Sequence, residues 1–492
     1  MKSIYGKIFA LFLAALMICP LASCSDSSSV STDETTTAIT TTPAETELPA
    51  ETREPLEIPD VTYDGYEFAV IARDNSGTWV TTDLVAEEQN GDPINDAVFK
   101  RNSTVSELLH ITISARYEGD VISACRKEIQ SGEDNYGAFL TNVGNSATLA
   151  SEKGLVDLYT VEGLNLDKPW WDSSAAEDFS VANRLYAVMG DINITDNKAT
   201  WTVLFNKKIA LDNSMKNHYD VVSDGKWTLS YLHNNAKKIT NDINGDGKYT
   251  PEDQWGAVNQ YECVIALFTA SGGYTADKDS NDIPYLSMGE QKMVDLLDAI
   301  MEFETDNMAQ IRADDYVGKY SDIWTEVNVN TFLEGRALYY IAPLASLDKM
   351  RDMEDELGIL PMPKNSENQE NYYTTLQYNN ATVYCIPATA SDPERSGVIL
   401  EAMAYHSSDL TNAYYEVTLK RKYTDDEESA EMLDLIFRNR HIDLGIMYNW
   451  GSLSSIYQNL PKSNGTFASK YASNEAKIKE AMQETLDLFF GN

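Results

Sequence analysis

The stretch Asp242-Ile-Asn-Gly-Asp-Gly-Lys-Tyr-Thr-Pro-Glu-Asp253 carries the most specific chemistry in this chain. Oxygen-bearing side chains fall at positions 1, 3, 5, 9 and 12 of a twelve-residue loop: Asp242, Asn244, Asp246, Thr250 and Asp253. Gly247 stands at position 6, where a sharp turn needs glycine, and Lys248 at position 7 offers its backbone carbonyl. This is EF-hand spacing. Hard oxygen ligands suit calcium, and the expected role of the ion is structural, clamping a loop. Asp253 stands where a longer Glu is usual, which shortens the last ligand. The competing reading is a pair of glycine turns with solvated acids.

Catalytic signals are absent. The five histidines, His110, His218, His233, His406 and His441, are scattered without metal-ligand spacing. No nucleophile elbow, phosphate loop or dinucleotide fingerprint occurs. Carboxylates are abundant, but nothing singles out a pair for glycoside hydrolysis. Aromatic rings remain: Trp79, Trp170-Trp171, Tyr261 and Trp450 fall in loop-like stretches. Flat rings at strand ends suit stacking on sugar faces or peptide side chains. Packing in a core is the competing use of each.

The start of the chain sets its location. Lys2 and Lys7 precede twelve apolar residues, Ile8 to Cys19, a run of secretory length and too short to span a bilayer. Leu21-Ala-Ser-Cys24 follows and resembles the lipobox of bacterial lipoproteins. That resemblance implies that Cys24 becomes a lipid-modified N-terminus, leaving the body extracytoplasmic and anchored to the cell membrane. Residues 24–60 read as a disordered stalk, rich in Ser and Thr and then in Pro and Glu. Its reach is on the order of 30 Å.

Composition narrows the rest. A chain of 492 residues exceeds one small core, so two lobes or domains are expected. A formal net charge of −39 would repel phosphate backbones and anionic lipid, which argues against nucleic acid and leaves the lipid as the membrane attachment. Beyond Cys24 the body has Cys125, Cys263 and Cys385, whose wide spacing suggests buried free thiols rather than a disulfide framework.

The elements that must position these residues alternate. Glu67–Ala72, Ile111–Ala115 and Tyr136–Thr141 read as strands, with helices between them from the stripe Val98, Val105, Leu108, Leu109 and from Val121–Ile129. This order predicts a mainly parallel sheet with helices on both faces. Further strands are expected at Thr200–Lys208, Ala337–Ala342 and Ala381–Ile386. Helices are expected at Lys226–Ile239 and from about Asn474 to Phe489. Ser287-Met-Gly-Glu290, Ser391-Asp-Pro-Glu394 and Thr424-Asp-Asp-Glu427 read as capping boxes that launch three more.

In this order the chain is similar to the family 1 extracellular solute-binding proteins that serve ABC importers. The stations are Gly154-Leu-Val-Asp-Leu158, Pro169-Trp-Trp-Asp172, Leu204-Phe-Asn-Lys-Lys208, Asp242 to Gly256, Gly272-Gly273, Phe332-Leu-Glu-Gly-Arg-Ala337 and Ile359-Leu-Pro-Met-Pro-Lys364. The resemblance implies an α/β, two-lobed periplasmic-binding-protein-like (type II) fold that closes on a solute. It implies one lobe from residues 61–205 and 383–441, another from 206–382 and 442–492, and crossings near Phe205, Thr382 and Ile442. By the same resemblance Tyr261 matches a ligand-stacking position of maltodextrin binders. Leu344 matches another contact, although those sugar binders often carry Trp there. Trp79, Asn142 and Asn145 fall on first-lobe loops facing solute, and Trp450 on a cleft-facing stretch of the second lobe. The expected function is delivery of a solute, an oligosaccharide first, to an ABC permease, with no catalysis. A peptide or other polar solute is the alternative ligand, and a surface glycosidase or esterase the alternative class.

If Cys24 accepts the lipid, Cys24→Ser should abolish processing and membrane retention, because only the thiol can form the thioether. Detergent-phase partitioning measures this, and a variant still wholly in the detergent phase would remove the lipoprotein assignment.

Overall fold

Two sheets carry the fold, and the chain passes three times between them. The structure is a computed structural model that describes residues 54–74, 79, 82–415, 427–463 and 466–490. The Cys24 assignment, the signal peptide and the capping box at Thr424 lie outside the described residues. Eleven strands are present among them: β1 Tyr66–Arg73, β2 Ile111–Glu118, β3 Ala138–Asn142, β4 Trp201–Asn206, β5 Trp255–Asn259, β6 Ala276–Lys278, β7 Pro284–Leu286, β8 Gln310–Arg312, β9 Ala337–Pro343, β10 Leu357–Leu360 and β11 Thr382–Cys385.

The first sheet has the order β11-β3-β1-β2. β1 runs parallel to both β2 and β3, and β11 closes the edge antiparallel to β3. The helices Pro93–Leu109 and Val121–Ser131 make the crossovers. The first crossover runs from β1 to β2 on one side and the second returns from β2 past β1 to β3 on the other, so the C-terminal ends of β1 and β3 flank a topological switch point, where open α/β sheets bind ligands. The second sheet, β10-β4-β9-β5-β8, is mixed: β9, β5 and β8 are parallel, while β4 is antiparallel to β9 and β10. Both its faces are covered, which is why these strands read as continuous apolar runs. Val203, Phe205, Ala257, Tyr339 and Ile341 face one core, and Leu204, Val258 and Tyr340 the other.

The crossings sit a few residues from their expected places. Residues 199–201, 374–377 and 439–441 run side by side. The Trp201 N–H donates to the Thr375 carbonyl at 3.0 Å and the Gln377 N–H to the Ala199 carbonyl at 2.8 Å. On the other side the Thr374 N–H donates to the Asn439 carbonyl at 3.1 Å, and the His441 N–H to the Thr374 carbonyl at 2.8 Å. Phe205 lies within β4, paired in the second sheet, and Thr382 opens β11 in the first. β4 thus belongs to the second sheet, although residues 201–205 were expected in the first lobe. The stalk also ends earlier than expected. Leu56 and Ile58 pack on the core, and Lys168 Nζ lies 3.0 Å from Glu54 and 3.3 Å from Glu57.

Local details follow from caps and buried charges. The helix Pro393–Tyr405 is capped by Asp392, whose carboxylate accepts the Arg395 N–H, and not by Ser391, whose hydroxyl bonds Asp134. The helix Gln291–Glu304 has Glu290 at its cap with no side-chain bond, while the Ser287 hydroxyl donates to the Tyr274 carbonyl at 3.1 Å. Trp170 and Trp171 are buried, and their indole N–H groups donate to the two oxygens of one buried carboxylate, Glu401, at 3.0 and 2.8 Å. Burial pushes the Glu401 carboxyl up, and these donors together with the Asn165 N–H oppose the shift. The pair therefore ties the loop before Asp172 to the helix Pro393–Tyr405. Cys125, Cys263 and Cys385 are buried free thiols. Among the described residues no helix is long and apolar enough to cross a membrane.

Candidate functional site

A line of polar side chains joins the C-terminal end of β1 to that of β5 across the middle crossing. Arg73, the last residue of β1, donates from Nη1 to Asn380 Oδ1 at 2.9 Å. Asn380 Nδ2 donates to Gln377 Oε1 at 2.7 Å, and Gln377 Nε2 donates to Glu262 Oε2 at 2.8 Å. Gln260, just beyond β5, donates to the same oxygen at 3.0 Å. Arg73, Gln260, Glu262, Gln377 and Asn380 are all half-buried. Burial raises the Glu262 carboxyl, while the amides of Gln377 and Gln260 stabilise its charge.

The first-lobe loop expected to meet solute lies beside this line. Asn142 ends β3 and caps the helix Val143–Ser151, its Oδ1 accepting the Asn145 N–H at 2.8 Å. A Cβ placed on Gly144 would lie 3.9 Å from Asn379 Oδ1 and 4.0 Å from the Met447 carbonyl, so the helix start faces the crossing. Among the described residues, the side-chain amides of Asn145 and Asn379 have no protein partner. The site therefore combines fixed amides and a guanidinium with free amides at a switch point. Such a set can hydrogen-bond a neutral, hydroxyl-rich ligand. Among the described residues, no nucleophile and base are arranged there for transfer chemistry.

The other expected contacts stand elsewhere. Tyr261 is at the predicted loop, but its ring is buried, with Lys462 Nζ 4.2 Å and the Arg312 guanidinium 5.6 Å from the ring centroid. Its hydroxyl donates to Asp315, and burial followed by that carboxylate pushes the phenol up. One face of this tyrosine is already taken by a cation, so it is not an open stacking platform. Leu344 is fully buried in the core beneath β9, its N–H bonded to the Thr200 carbonyl at 2.9 Å. Trp450 is also buried: it stacks on Tyr448 with ring centroids 5.8 Å apart and donates from Nε1 to Thr485 at 2.9 Å, under the helix Phe467–Phe490. Leu344, directly after β9, and Trp450, after the helix Leu444–Met447, both turn back onto the core of their own lobe. Trp79 is half-buried against the larger core.

Arg73, Gln260, Glu262, Gln377, Asn379 and Asn380 were missed from sequence. The one local signal was the amide run Gln377-Tyr-Asn-Asn380, directly before the apolar strand β11.

The Asp242 loop turns on its own hydrogen bonds. Asp242 accepts the N–H groups of Gly245 and Gly247 at 2.7 and 2.8 Å, Asn244 that of Asp246 at 2.9 Å, and Asp246 that of Lys248 at 2.8 Å. Gly247 has φ 76°, the left-handed conformation that position 6 requires. Asp253 is buried and accepts from the Ile243 N–H at 3.2 Å and from both donors of Thr250, the N–H at 2.8 Å and the hydroxyl at 3.1 Å. Residue types and turn geometry fit a calcium loop. Among the described residues, however, no group of three or more His, Cys, Asp or Glu side chains converges on a metal position.

No protein-family model and no curated protein matches the sequence. Solved structures do match the fold. An ABC substrate-binding protein from Listeria monocytogenes in complex with cycloalternan aligns with a TM-score of 0.55 at 12% identity, over 85% of this chain and 100% of that one. A cyclo/maltodextrin-binding protein complexed with maltotetraose gives 0.57 at 12%, over 85% and 97%. The maltose/maltodextrin-binding domain of Bdellovibrio bacteriovorus, bound to maltotriose, gives 0.54 at 15%, over 85% and 100%. The shared feature is the two-lobed fold.

Proposed function

We propose that this chain, which has the two-lobed fold of ABC-importer solute-binding proteins, receives a neutral oligosaccharide between its lobes and hands it to an ABC permease. It does so outside the cytoplasm, tethered by a lipid on Cys24, and without turning the sugar over. The observation that carries this reading is the amide-rich line from Arg73 to Gln260, which gives donors and acceptors to both lobes at the switch point. The free amides of Asn145 and Asn379 suit ring hydroxyls, and the sugars in the three fold neighbours point to the same ligand class. Closure would bring the two lobes onto one ligand and favour the closed state by the difference in affinity.

We also propose that calcium orders the Asp242 loop, on the strength of its oxygen donors and glycine positions. Its binding energy adds to stability as RT ln(1+[L]/Kd). Asp242→Ala loses two loop hydrogen bonds in any buffer, but in calcium it should lower the melting temperature by a further few degrees, about 1–2 kcal/mol, that is absent in chelator. Identical melting of the wild type in calcium and in excess chelator would sink the assignment.

Calorimetric titration across a panel of oligosaccharides and peptides tests the ligand. One oligosaccharide should bind saturably without turnover, and Arg73→Ala or Asn145→Ala should weaken it by about 1–3 kcal/mol, the scale of a lost polar contact. Trp171→Ala is the control for core against cleft. It should cost about 3–5 kcal/mol of stability, since it opens a cavity and leaves Glu401 short of a donor. Peptide binding alone, or hydrolysis of the sugar, would contradict the proposal.

A further inference from the structure

A second cavity lies at the far end of the helix Cys263–Ala270. That helix starts beside Glu262 in the cleft and ends at Ser271, about 12 Å along its axis. Here a cavity of about 650 Å³ opens between the helix end, the helix Gln291–Glu304 and residues 365–373. The volume falls in the range of small-molecule sites.

Its lining is built and partly unpaired. Gln369 is locked as a brace, donating to the Ala270 carbonyl at 2.7 Å and the Asn371 carbonyl at 2.8 Å while accepting the Asn365 N–H at 3.1 Å. Ser271 belongs to the lining and is only 5% exposed, with its hydroxyl turned away from solvent. Among the described residues, the side-chain amides of Asn365 and Asn368 have no protein partner. Two half-buried rings, Tyr274 and Tyr373, complete the wall, each meeting the His441 ring nearly edge-on at 6.0 and 5.0 Å. Gly272 has φ 75°, and even a Cβ there would meet only Tyr373, at 3.9 Å, so backbone is open to the cavity.

The charge of the lining decides the ligand class. Among the described lining residues, Lys292 and Asp295 are the one cation and one anion, and they cancel in a chain whose net charge is −39. A cationic ligand would find more favourable surface almost anywhere else, and an anion would meet long-range repulsion. Neutral amides and hydroxyls beside tyrosine rings match a ligand with hydroxyls on its edge and C–H groups on its face. We propose that this cavity is a second binding site for a neutral saccharide, separate from the cleft between the lobes. It depends on none of the cleft residues.

Saturation-transfer NMR on the full chain tests this with four neutral probes: maltotetraose, cellotetraose, xylotetraose and mannotetraose. Three proteins are compared: wild type, the cleft variant Arg73→Ala/Asn145→Ala, and the cavity variant Asn365→Ala/Tyr373→Ala. At least one sugar should keep its signal in the cleft variant and lose about tenfold in affinity in the cavity variant. Asn365→Ala/Asn368→Ala, confined to unpaired amides, gives the same reading should loss of Tyr373 disturb folding. The proposal is overturned when no probe gives a signal, when the cleft variant abolishes every signal, or when neither cavity variant changes any. A signal that needs only the cavity residues would leave this site standing while removing the cleft reading for that sugar.

Discussion

Thr374 is held on both sides at the point where the lobes meet, and the rest of the molecule is arranged around that junction. Its backbone bonds to Asn439 and His441, its hydroxyl donates to the Trp201 carbonyl at 2.6 Å, and Thr375 accepts from Trp201. Arg440, between the two residues that grip Thr374, pins the junction electrostatically. Its guanidinium reaches Asp172 at 2.5 Å and Asp196 at 3.0 Å, with Asn197 also at 3.0 Å. Burial works against the charge of Arg440, but the two carboxylates outweigh it and hold the guanidinium above its usual value. A buried pair of this kind stabilises little in itself, but removing one partner strands a charge at a cost of about 3–5 kcal/mol. Through Arg440 the third crossing is tied to Asp172 and to Asp196, which lies just before the first crossing.

The cleft inherits its geometry from that junction. Only two residues separate Thr374 from Gln377, so a fixed crossing fixes the amides that reach toward Glu262 on one side and Arg73 on the other. The residues that would bend during closure thus also line the site. This couples ligand contact to lobe position without a separate relay. The Trp170–Trp171 clamp on Glu401 supports the same region, since Asp172, which holds Arg440, follows directly in sequence.

Periodicity made the strands legible: β1, β2, β3, β9 and β11 lie where alternating or continuous apolar runs predict them. The order of elements was enough to expect two lobes. Caps were less legible. Asp392 caps the helix one residue later than Ser391 was expected to, accepting the Arg395 N–H while the Ser391 hydroxyl bonds Asp134. Burial of single aromatics was not legible at all. Nothing local distinguishes Trp450, stacked under the last helix, from a ring on a cleft wall, and Tyr261 is masked by Lys462, about two hundred positions away. The polar line across the cleft escaped for the same reason. Arg73 and Asn380 meet only after the first sheet and the middle crossing are both in place.

The central claim is that a neutral oligosaccharide draws two lobes together about the Thr374 junction. Small-angle X-ray scattering of the full chain, before and after saturation with the sugar identified by calorimetry, tests it directly. The radius of gyration should fall on sugar addition, and it should stay unchanged in Arg73→Ala/Asn145→Ala at the same sugar concentration. A wild type that binds the sugar saturably while its scattering curve stays the same would contradict the claim.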